Sequence, residues 1–235
     1  MRVLFIQQDH VSPPGPVGAA FAARGFEVTE FNVVPEEHFA APGIAVEFPD
    51  PRDYDVLVPM GAPWAVYDDE TIGAWIGAEL EMLRTAHDAG VPVLGICFGG
   101  QALAAALGGS VFAAGDEEIG WYAVDTDEPD LVPAGPWFQW HSDRFDPPPG
   151  ARVLARTALC PQAYVIGRSM GLQFHPELTG DQLDAWLVNG GREYLDGVGA
   201  DADALLAETR AVEAAAAGRT RDLVDAFLDR VAFPD

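Results

Sequence analysis

The sequence contains no lysine. All 13 of its Lys+Arg residues are arginines, against 37 Asp+Glu in 235 residues, so the formal net charge is −24. Without lysine, neither a lysine Schiff base nor the phosphate-binding lysine of a P-loop is available. The excess of negative charge also argues against binding to nucleic acid or to an anionic membrane surface, since both repel an acidic protein.

Cysteine is almost absent as well, with only Cys97 and Cys160. Two cysteines do not make a disulfide framework. No apolar run approaches the ~18 residues of a membrane-spanning helix, and the first run, residues 3–6, is too short for a signal peptide. His10 and His38 lack the spacing of metal ligands. We therefore expect a soluble, cytoplasmic protein with reduced cysteines and with neither a metal nor another cofactor.

Apolar runs and helical patterns alternate through the first half of the chain. Strands are predicted at residues 3–6, 26–31, 55–60 and 92–96, and helices at 19–25, 71–89 and 100–107. This alternation is typical of an α/β domain with a mostly parallel sheet. Between residues 110 and 174, short strand-like pieces separated by Asp, Pro and Gly predict antiparallel additions to that sheet.

Helical patterns return at residues 181–195, 201–217 and 220–231. The sequence shows no internal repeat and no long linker. We expect a single domain over residues 1–235, with a core to about residue 195 and additional C-terminal helices over about 196–235.

The segment GICFGGQ at residues 95–101 places Cys97 between a buried strand and a helix. Gly-x-Cys-x-Gly is the nucleophile-elbow pattern with cysteine in place of serine. The positive end of the helix and a nearby histidine would both favour the reactive thiolate. The backbone N–H of Phe98 would face a developing oxyanion. From this motif alone, a structural cysteine in a glycine-rich turn is an equal alternative.

A second segment, QFHPE at residues 173–177, carries a histidine and a carboxylate two residues apart. His175 would act as the base, and Glu177 would hold its tautomer and support the imidazolium. The two segments together give the order Cys…His-x-Glu, which favours a catalytic role for Cys97.

Both segments resemble those of the class I (triad-type) glutamine amidotransferases, which read Gly-x-Cys-x-Gly-x-Gln and Phe-His-Pro-Glu. GAPWAVYDDE at residues 61–70 resembles the oxyanion loop of that family. EIGW at 118–121 and QWHSD at 139–143 resemble blocks of the subgroup around the glutaminase domain of guanosine-monophosphate synthetases. The resemblance covers roughly residues 1–195 and implies a flavodoxin-like, three-layer α/β sandwich.

The resemblance also implies roles for individual residues. Cys97 would attack the side-chain amide carbon of glutamine and form a thioester. His175 would protonate the leaving ammonia and later activate water, with Glu177 orienting it. The remaining implied residues are backbone N–H groups of an oxyanion hole, at Phe98, Gly61 and Ala62, and substrate-binding residues, at Gln101, Ser142 and Asp143.

The sequence departs from the family pattern in two places. Ala62 stands where the oxyanion loop usually has a second glycine, which restricts any geometry that needs a positive φ. The run His141-Ser142-Asp143 replaces the more usual Ser-His-Gly-Asp. We interpret His141 as part of the pocket wall, with a catalytic base as the alternative, and Cys160 as a structural thiol.

Three functional hypotheses follow. The protein releases ammonia from glutamine, either as a stand-alone hydrolase or for a separate synthase subunit. Alternatively, it is a γ-glutamyl hydrolase or peptidase acting on a larger γ-glutamyl compound. The third hypothesis is a catalytically idle subunit that binds a partner. The expected ligands are glutamine or a γ-glutamyl compound, with no nucleic acid and no membrane among the partners.

Overall fold

A nine-stranded mixed sheet forms the centre of the protein in the computed structural model, which describes residues 1–234. The strands are β1 (Arg2–Gln7), β2 (Glu27–Asn32), β3 (Val56–Pro59), β4 (Val93–Ile96), β5 (Ser110–Thr126), β6 (Gly135–Asp146), β7 (Arg152–Arg156), β8 (Pro161–Ile166) and β9 (Ser169–Leu172). Their order across the sheet is β2-β1-β3-β4-β9-β8-β7-β5-β6.

The first five strands in that order are parallel, and each later pairing is antiparallel. The predicted α/β class and the antiparallel additions after residue 110 are therefore confirmed. The additions are more extensive than expected, so the sheet is better described as mixed than as mostly parallel.

Helices cover both faces of the sheet. They are α1 (Gly15–Ala23), α2 (Asp69–Ile72), α3 (Ile76–Asp88), α4 (Phe98–Ala106), α5 (Gly180–Trp186), α6 (Arg192–Val198) and α7 (Ala202–Phe227). Successive side chains of β1 point to opposite faces, as a strand requires. Phe5 packs in one core cluster with residues of α1 and α7, and Leu4 packs in another with residues of α3 and α4. The predicted three-layer sandwich is thus formed.

Predicted helix boundaries are wrong in three places. The pattern at residues 181–195 forms two helices, α5 and α6, separated by Leu187–Gly191. The pattern at residues 71–89 forms two helices, because the chain turns between α2 and α3. The patterns at 201–217 and 220–231 form one helix, α7, which runs through Gly218 and continues as a π-helical turn over Leu228–Ala232. A helix-interior glycine costs about 1 kcal/mol relative to alanine. Burial of Leu223 and Phe227 in the core offsets that cost.

The C-terminal helix reaches the segment that carries His175. The Thr220 hydroxyl of α7 donates to the Pro176 carbonyl at 2.6 Å, and the Gly180 N–H donates to Glu213 Oε2 at 2.7 Å. The sequence-based division into a core to about residue 195 and added helices stays a prediction.

Within residues 1–234, none of the helices combines the length and the apolar character that crossing a membrane would need.

Candidate active site

Cys97 lies in the sharp turn between β4 and α4. Its backbone has φ 49° and ψ −109°, and it is the one non-glycine residue with a positive φ in the described chain, residues 1–234. Such a conformation costs of order 1–3 kcal/mol and persists only where surrounding structure holds it. The Cys97 N–H donates to the Leu172 carbonyl of β9 at 2.9 Å, and its carbonyl accepts the Gln101 N–H at 2.9 Å.

Two glycines of the motif are required by close backbone packing. A Cβ atom at Gly95 would lie 2.5 Å from the Gly99 carbonyl oxygen, and one at Gly99 would lie 2.1 Å from the Pro59 carbonyl oxygen of β3. The helix can therefore begin directly above the strands only because these positions lack side chains. This packing aims the first N–H groups of α4, beginning at Phe98, toward the space around Cys97.

His175 and Glu177 form a buried pair beside Cys97. His175 Nδ1 lies 2.7 Å from Glu177 Oε1, and the two residues are 5% and 0% exposed. The His175 N–H donates to the Phe138 carbonyl at 2.8 Å, which fixes the end of the segment. The ring of Trp186 packs edge-to-face on the imidazole, with centroids 5.1 Å apart.

The charge on His175 depends on its neighbours. Burial by itself lowers the pKa of the imidazole, but the negative charges of Cys97 and Glu177 outweigh burial and raise the pKa of His175 to about 10. The imidazole therefore carries its proton at neutral pH when it faces the thiolate. A thiolate beside an imidazolium is the reactive form for attack on a carbonyl carbon.

The Gly61-Ala62 turn closes the site from the end of β3. A Cβ atom at Gly61 would lie 2.9 Å from His175 Cε1 and 3.8 Å from Cys97 Cβ, so both side chains lie against the Gly61 backbone. Ala62 does not adopt a positive φ. The alanine that departs from the family pattern is thus accommodated without strain, and Gly61 is the position that tolerates no side chain.

Gln101 lies in a short chain of polar groups that leads to Cys97. Its Nε2 is 3.3 Å from the Asp143 carbonyl oxygen and 3.4 Å from Gln173 Oε1, and Gln173 Nε2 is 3.9 Å from Cys97 Sγ. The sequence motifs assigned no role to Gln173. Gln173 nevertheless belongs to the same QFHPE segment and lies two residues before His175.

Eight of the nine predicted site residues line one open cavity of about 720 Å³, and the ninth, Glu177, lies behind His175. Ser142 and Asp143 are on its rim, and the Tyr67 hydroxyl donates to Asp143 Oδ1 at 2.9 Å. An aromatic wall extends outward from His175: Trp186 packs on Trp140 with ring centroids 5.9 Å apart, and Trp140 stacks on Tyr194 at 6.3 Å. The sequence motifs did not predict this wall.

A second Cys, His and Glu set lies nearby but lacks the features of a nucleophile site. His141 lines the cavity, as predicted, and its Nδ1 lies 3.1 Å from the Asp143 carbonyl oxygen. Its Nε2 faces Glu118 Oε2 at 3.2 Å. Burial, followed by the charge of Glu118, raises the pKa of Cys160 to about 12. Cys160 also precedes a strand rather than a helix, so it has no helix N-terminus to stabilise a thiolate.

The sequence matches a known family over this whole region. The family model "Glutamine amidotransferase class-I" matches residues 23–191, which include the Cys97 turn and the His175 segment. The chain belongs to this family.

Relatives agree with this assignment. The GMP synthase (glutamine-hydrolysing) of Thermomicrobium roseum is 36% identical over 141 residues, and that of Vibrio vulnificus 32% over 145. These alignments cover 56% and 57% of this chain but only 25% and 26% of the relatives. The chain therefore spans about a quarter of the curated relatives that it matches.

Solved glutamine amidotransferases share nearly the whole fold. The enzyme from Thermotoga maritima superposes with a TM-score of 0.83 at 26% identity, over 97% of this chain and 98% of that one. The one from Methylobacillus flagellatus gives 0.83 at 26%, over 97% and 94%. The likeness in fold thus extends beyond residue 195, where the sequence resemblance ended.

Proposed function

We propose that this amidotransferase hydrolyses the side-chain amide of glutamine and releases ammonia through a thioester on Cys97. The observation that carries the proposal is the convergence of three features: the strained Cys97 turn at the N-terminus of α4, His175 against the same Gly61 backbone, and the 2.7 Å contact of His175 with Glu177.

In the first half-reaction the Cys97 thiolate attacks the amide carbon, forming the C–S bond. The oxyanion accepts hydrogen bonds from the N–H of Phe98 and from the Gly61-Ala62 turn, each worth about 3–4 kcal/mol in comparable enzymes. The C–N bond then breaks as His175 gives its proton to the nitrogen, so ammonia leaves and a thioester remains.

In the second half-reaction His175, now neutral, takes a proton from water as the water attacks the thioester. The C–S bond breaks, glutamate leaves, and the thiolate–imidazolium pair returns. Glu177 stabilises the imidazolium each time it forms. Gln101, Ser142 and Asp143 would hold the amino-acid end of the substrate, with Gln173 positioned between Gln101 and the thiol.

A second candidate is hydrolysis of γ-glutamyl amides that carry an apolar substituent on the nitrogen. It is favoured by the cavity of about 720 Å³, which is in the range of drug-sized sites and large for an amino acid. The aromatic wall begins at His175, the group that protonates the leaving nitrogen, so it lies where a bulky amine would leave.

Ammonia released at this site would be used by a partner. The relatives named GMP synthase are about four times longer than the aligned segment. A synthase subunit is the partner we propose for the ammonia-releasing reaction, because these relatives are named as glutamine-hydrolysing synthases. No partner is needed for hydrolysis of γ-glutamyl amides.

Glutamate formation from glutamine and from γ-glutamylanilide should be measured for the wild type and for Cys97→Ala. We expect turnover by the wild type, a loss of roughly 10⁴-fold or more in the variant, and labelling of Cys97 by diazo-norleucine. A higher kcat/KM for the anilide would favour the second candidate. Labelling at Cys160, or turnover by folded Cys97→Ala at the wild-type rate, would contradict the thioester mechanism. A folded wild type that processes neither amide would instead support the idle-subunit hypothesis.

A further inference from the structure

Three buried side chains from separate parts of the chain converge outside the catalytic pair. Glu118 lies on β5, His141 on β6, and Cys160 just before β8. His141 Nε2 is 3.2 Å and Cys160 Sγ is 3.6 Å from Glu118 Oε2. The three ligand atoms lie within 4.8 Å of one another, and the residues are 2–7% exposed.

His141 is held in the orientation of a metal ligand. Its Nδ1 lies 3.1 Å from the Asp143 carbonyl oxygen, which can only accept, so the ring proton is on Nδ1. In the neutral ring, Nε2 then presents a lone pair. That atom is fully buried, makes no hydrogen bond and faces a carboxylate oxygen. Two acceptors at this distance need a proton or a metal ion between them, and metal-bound histidines are commonly oriented by such a carbonyl.

Gln162 is the fourth polar side chain of this cluster. Its Nε2 is 2.9 Å from Glu118 Oε2 and 3.3 Å from Cys160 Sγ. Its Oε1 accepts from Gln139 Nε2 at 2.8 Å, while Gln139 Oε1 is buried without a partner. Rotating both amides by half a turn keeps this hydrogen bond with its direction reversed. The rotation turns Gln162 Oε1 toward the cluster as an oxygen ligand.

The spacing fits a small tetrahedral ion. Four of the distances between corners of the cluster are 2.9–3.6 Å, and the His141 and Cys160 ligand atoms lie within 4.8 Å of each other. The centre of a tetrahedron with edges of about 3.3 Å lies about 2 Å from each corner, close to a zinc–ligand bond length. Zinc bonds nitrogen and oxygen at about 2.0–2.2 Å and thiolate sulfur at about 2.3 Å. A set of thiolate, imidazole and carboxylate also selects zinc over the hard cations calcium and magnesium.

We propose that Glu118, His141 and Cys160 bind one Zn²⁺, with the Gln162 amide oxygen or a water as the fourth ligand. The ion would tie β5, β6 and β8 together beneath the pocket. Through His141 it would also fix the Asp143 carbonyl that accepts from Gln101. The ligand atoms contact one another rather than Cys97, so metal binding can be tested separately from the proposed reaction.

The test uses cobalt as a spectroscopic probe of the intact chain after removal of metals with a chelator. We expect one equivalent of Co²⁺ to give the visible bands of a tetrahedral site and a thiolate-to-cobalt absorption in the near ultraviolet. Zn²⁺ should displace it. Because the chain has only two cysteines, a thiolate band in Cys97→Ser can come only from Cys160. This variant leaves the cluster intact and is the decisive sample.

Variants of the proposed ligands test the contribution of each residue to metal binding. Glu118→Gln and His141→Ala should weaken binding at least about tenfold, and Cys160→Ser should remove the thiolate band. A folded wild type without bound metal and without a cobalt spectrum would overturn the proposal, since the cluster would then be a network closed by a proton. Loss of the thiolate band in Cys97→Ser would also overturn it, because the metal would then be at the catalytic cysteine.

Discussion

At the residue scale, the site depends on a buried carboxylate whose charge acts through a neighbour. Glu177 is fully buried and touches His175 Nδ1 at 2.7 Å. Glu177→Gln keeps the volume but removes the charge that supports the imidazolium. We expect kcat/KM to fall by roughly 10²–10⁴-fold, the range for loss of effective acid–base catalysis. Ammonia release, followed as a function of pH, measures the effect.

The pH profile separates this role from a purely structural one. His175 loses its proton as the pH rises through its raised pKa of about 10, so wild-type activity should decline at that alkaline limit. Without the Glu177 charge the pKa falls, and the decline should begin at lower pH. The control variant Glu81→Gln removes an exposed carboxylate that is paired with Arg84. It should change neither kcat/KM nor the pH at which activity declines. A folded Glu177→Gln enzyme with the wild-type profile would remove Glu177 from the mechanism.

The sequence was informative where the functional residues lie within a few positions of one another. His175 and Glu177 are two residues apart, and Cys97 has its glycines beside it, so the sequence alone was enough to predict that these residues share one site. Contacts between distant strands left no such pattern. Glu118 and His141 lie on β5 and β6, and Cys160 lies just before β8. The antiparallel pairing of β5 with β6, β5 with β7 and β7 with β8 brings them together.

At the element scale, the position of α4 depends on glycines that let it approach the sheet. Gly99 is the second residue of α4, and a Cβ there would lie 2.1 Å from the Pro59 carbonyl oxygen. We expect Gly99→Ala to lower the free energy of unfolding by about 1–3 kcal/mol, because the helix must shift away from β3. Urea denaturation measures the loss, and the shift should also reduce turnover.

Gly77→Ala is the matched control, since Gly77 is the second residue of α3. Nothing lies within 4 Å of a Cβ atom there. This variant should be neutral or more stable by up to about 1 kcal/mol, because alanine favours the helix over glycine. Equal stability changes in the two variants would show that helix propensity, rather than close packing of α4, sets the requirement at position 99.

Helix ends were the least predictable elements. Residues 181–195 formed one helical pattern, yet the helix is interrupted between α5 and α6, where Gly190 has φ 103°. The pattern of apolar residues reports which face is buried, and it continues across a short break. Conversely, Gly218 suggested an end inside α7, but packing against the core outweighed its low propensity. Both errors arise because tertiary contacts decide where a helix stops.

At the scale of the whole molecule, the charge imbalance should be measurable as a dependence of stability on salt. Seven arginines form exposed ion pairs, namely Arg24, Arg52, Arg84, Arg152, Arg156, Arg192 and Arg230. Exposed pairs contribute only about 0–1 kcal/mol each. With 37 acidic residues against 13 arginines, repulsion among the remaining carboxylates acts over the whole surface and destabilises the compact state.

Salt shortens the range of this repulsion, with a Debye length of about 30 Å at 0.01 M and about 10 Å at 0.1 M. We therefore expect the thermal unfolding midpoint at neutral pH to rise over this range of NaCl, as measured by calorimetry. The rise should shrink near about pH 4.5, where many carboxylates are protonated and the net charge approaches zero, since the sequence pI is near 4.2. A midpoint that falls with salt at neutral pH would mean that the arginine pairs outweigh the repulsion, contrary to this interpretation of the surface.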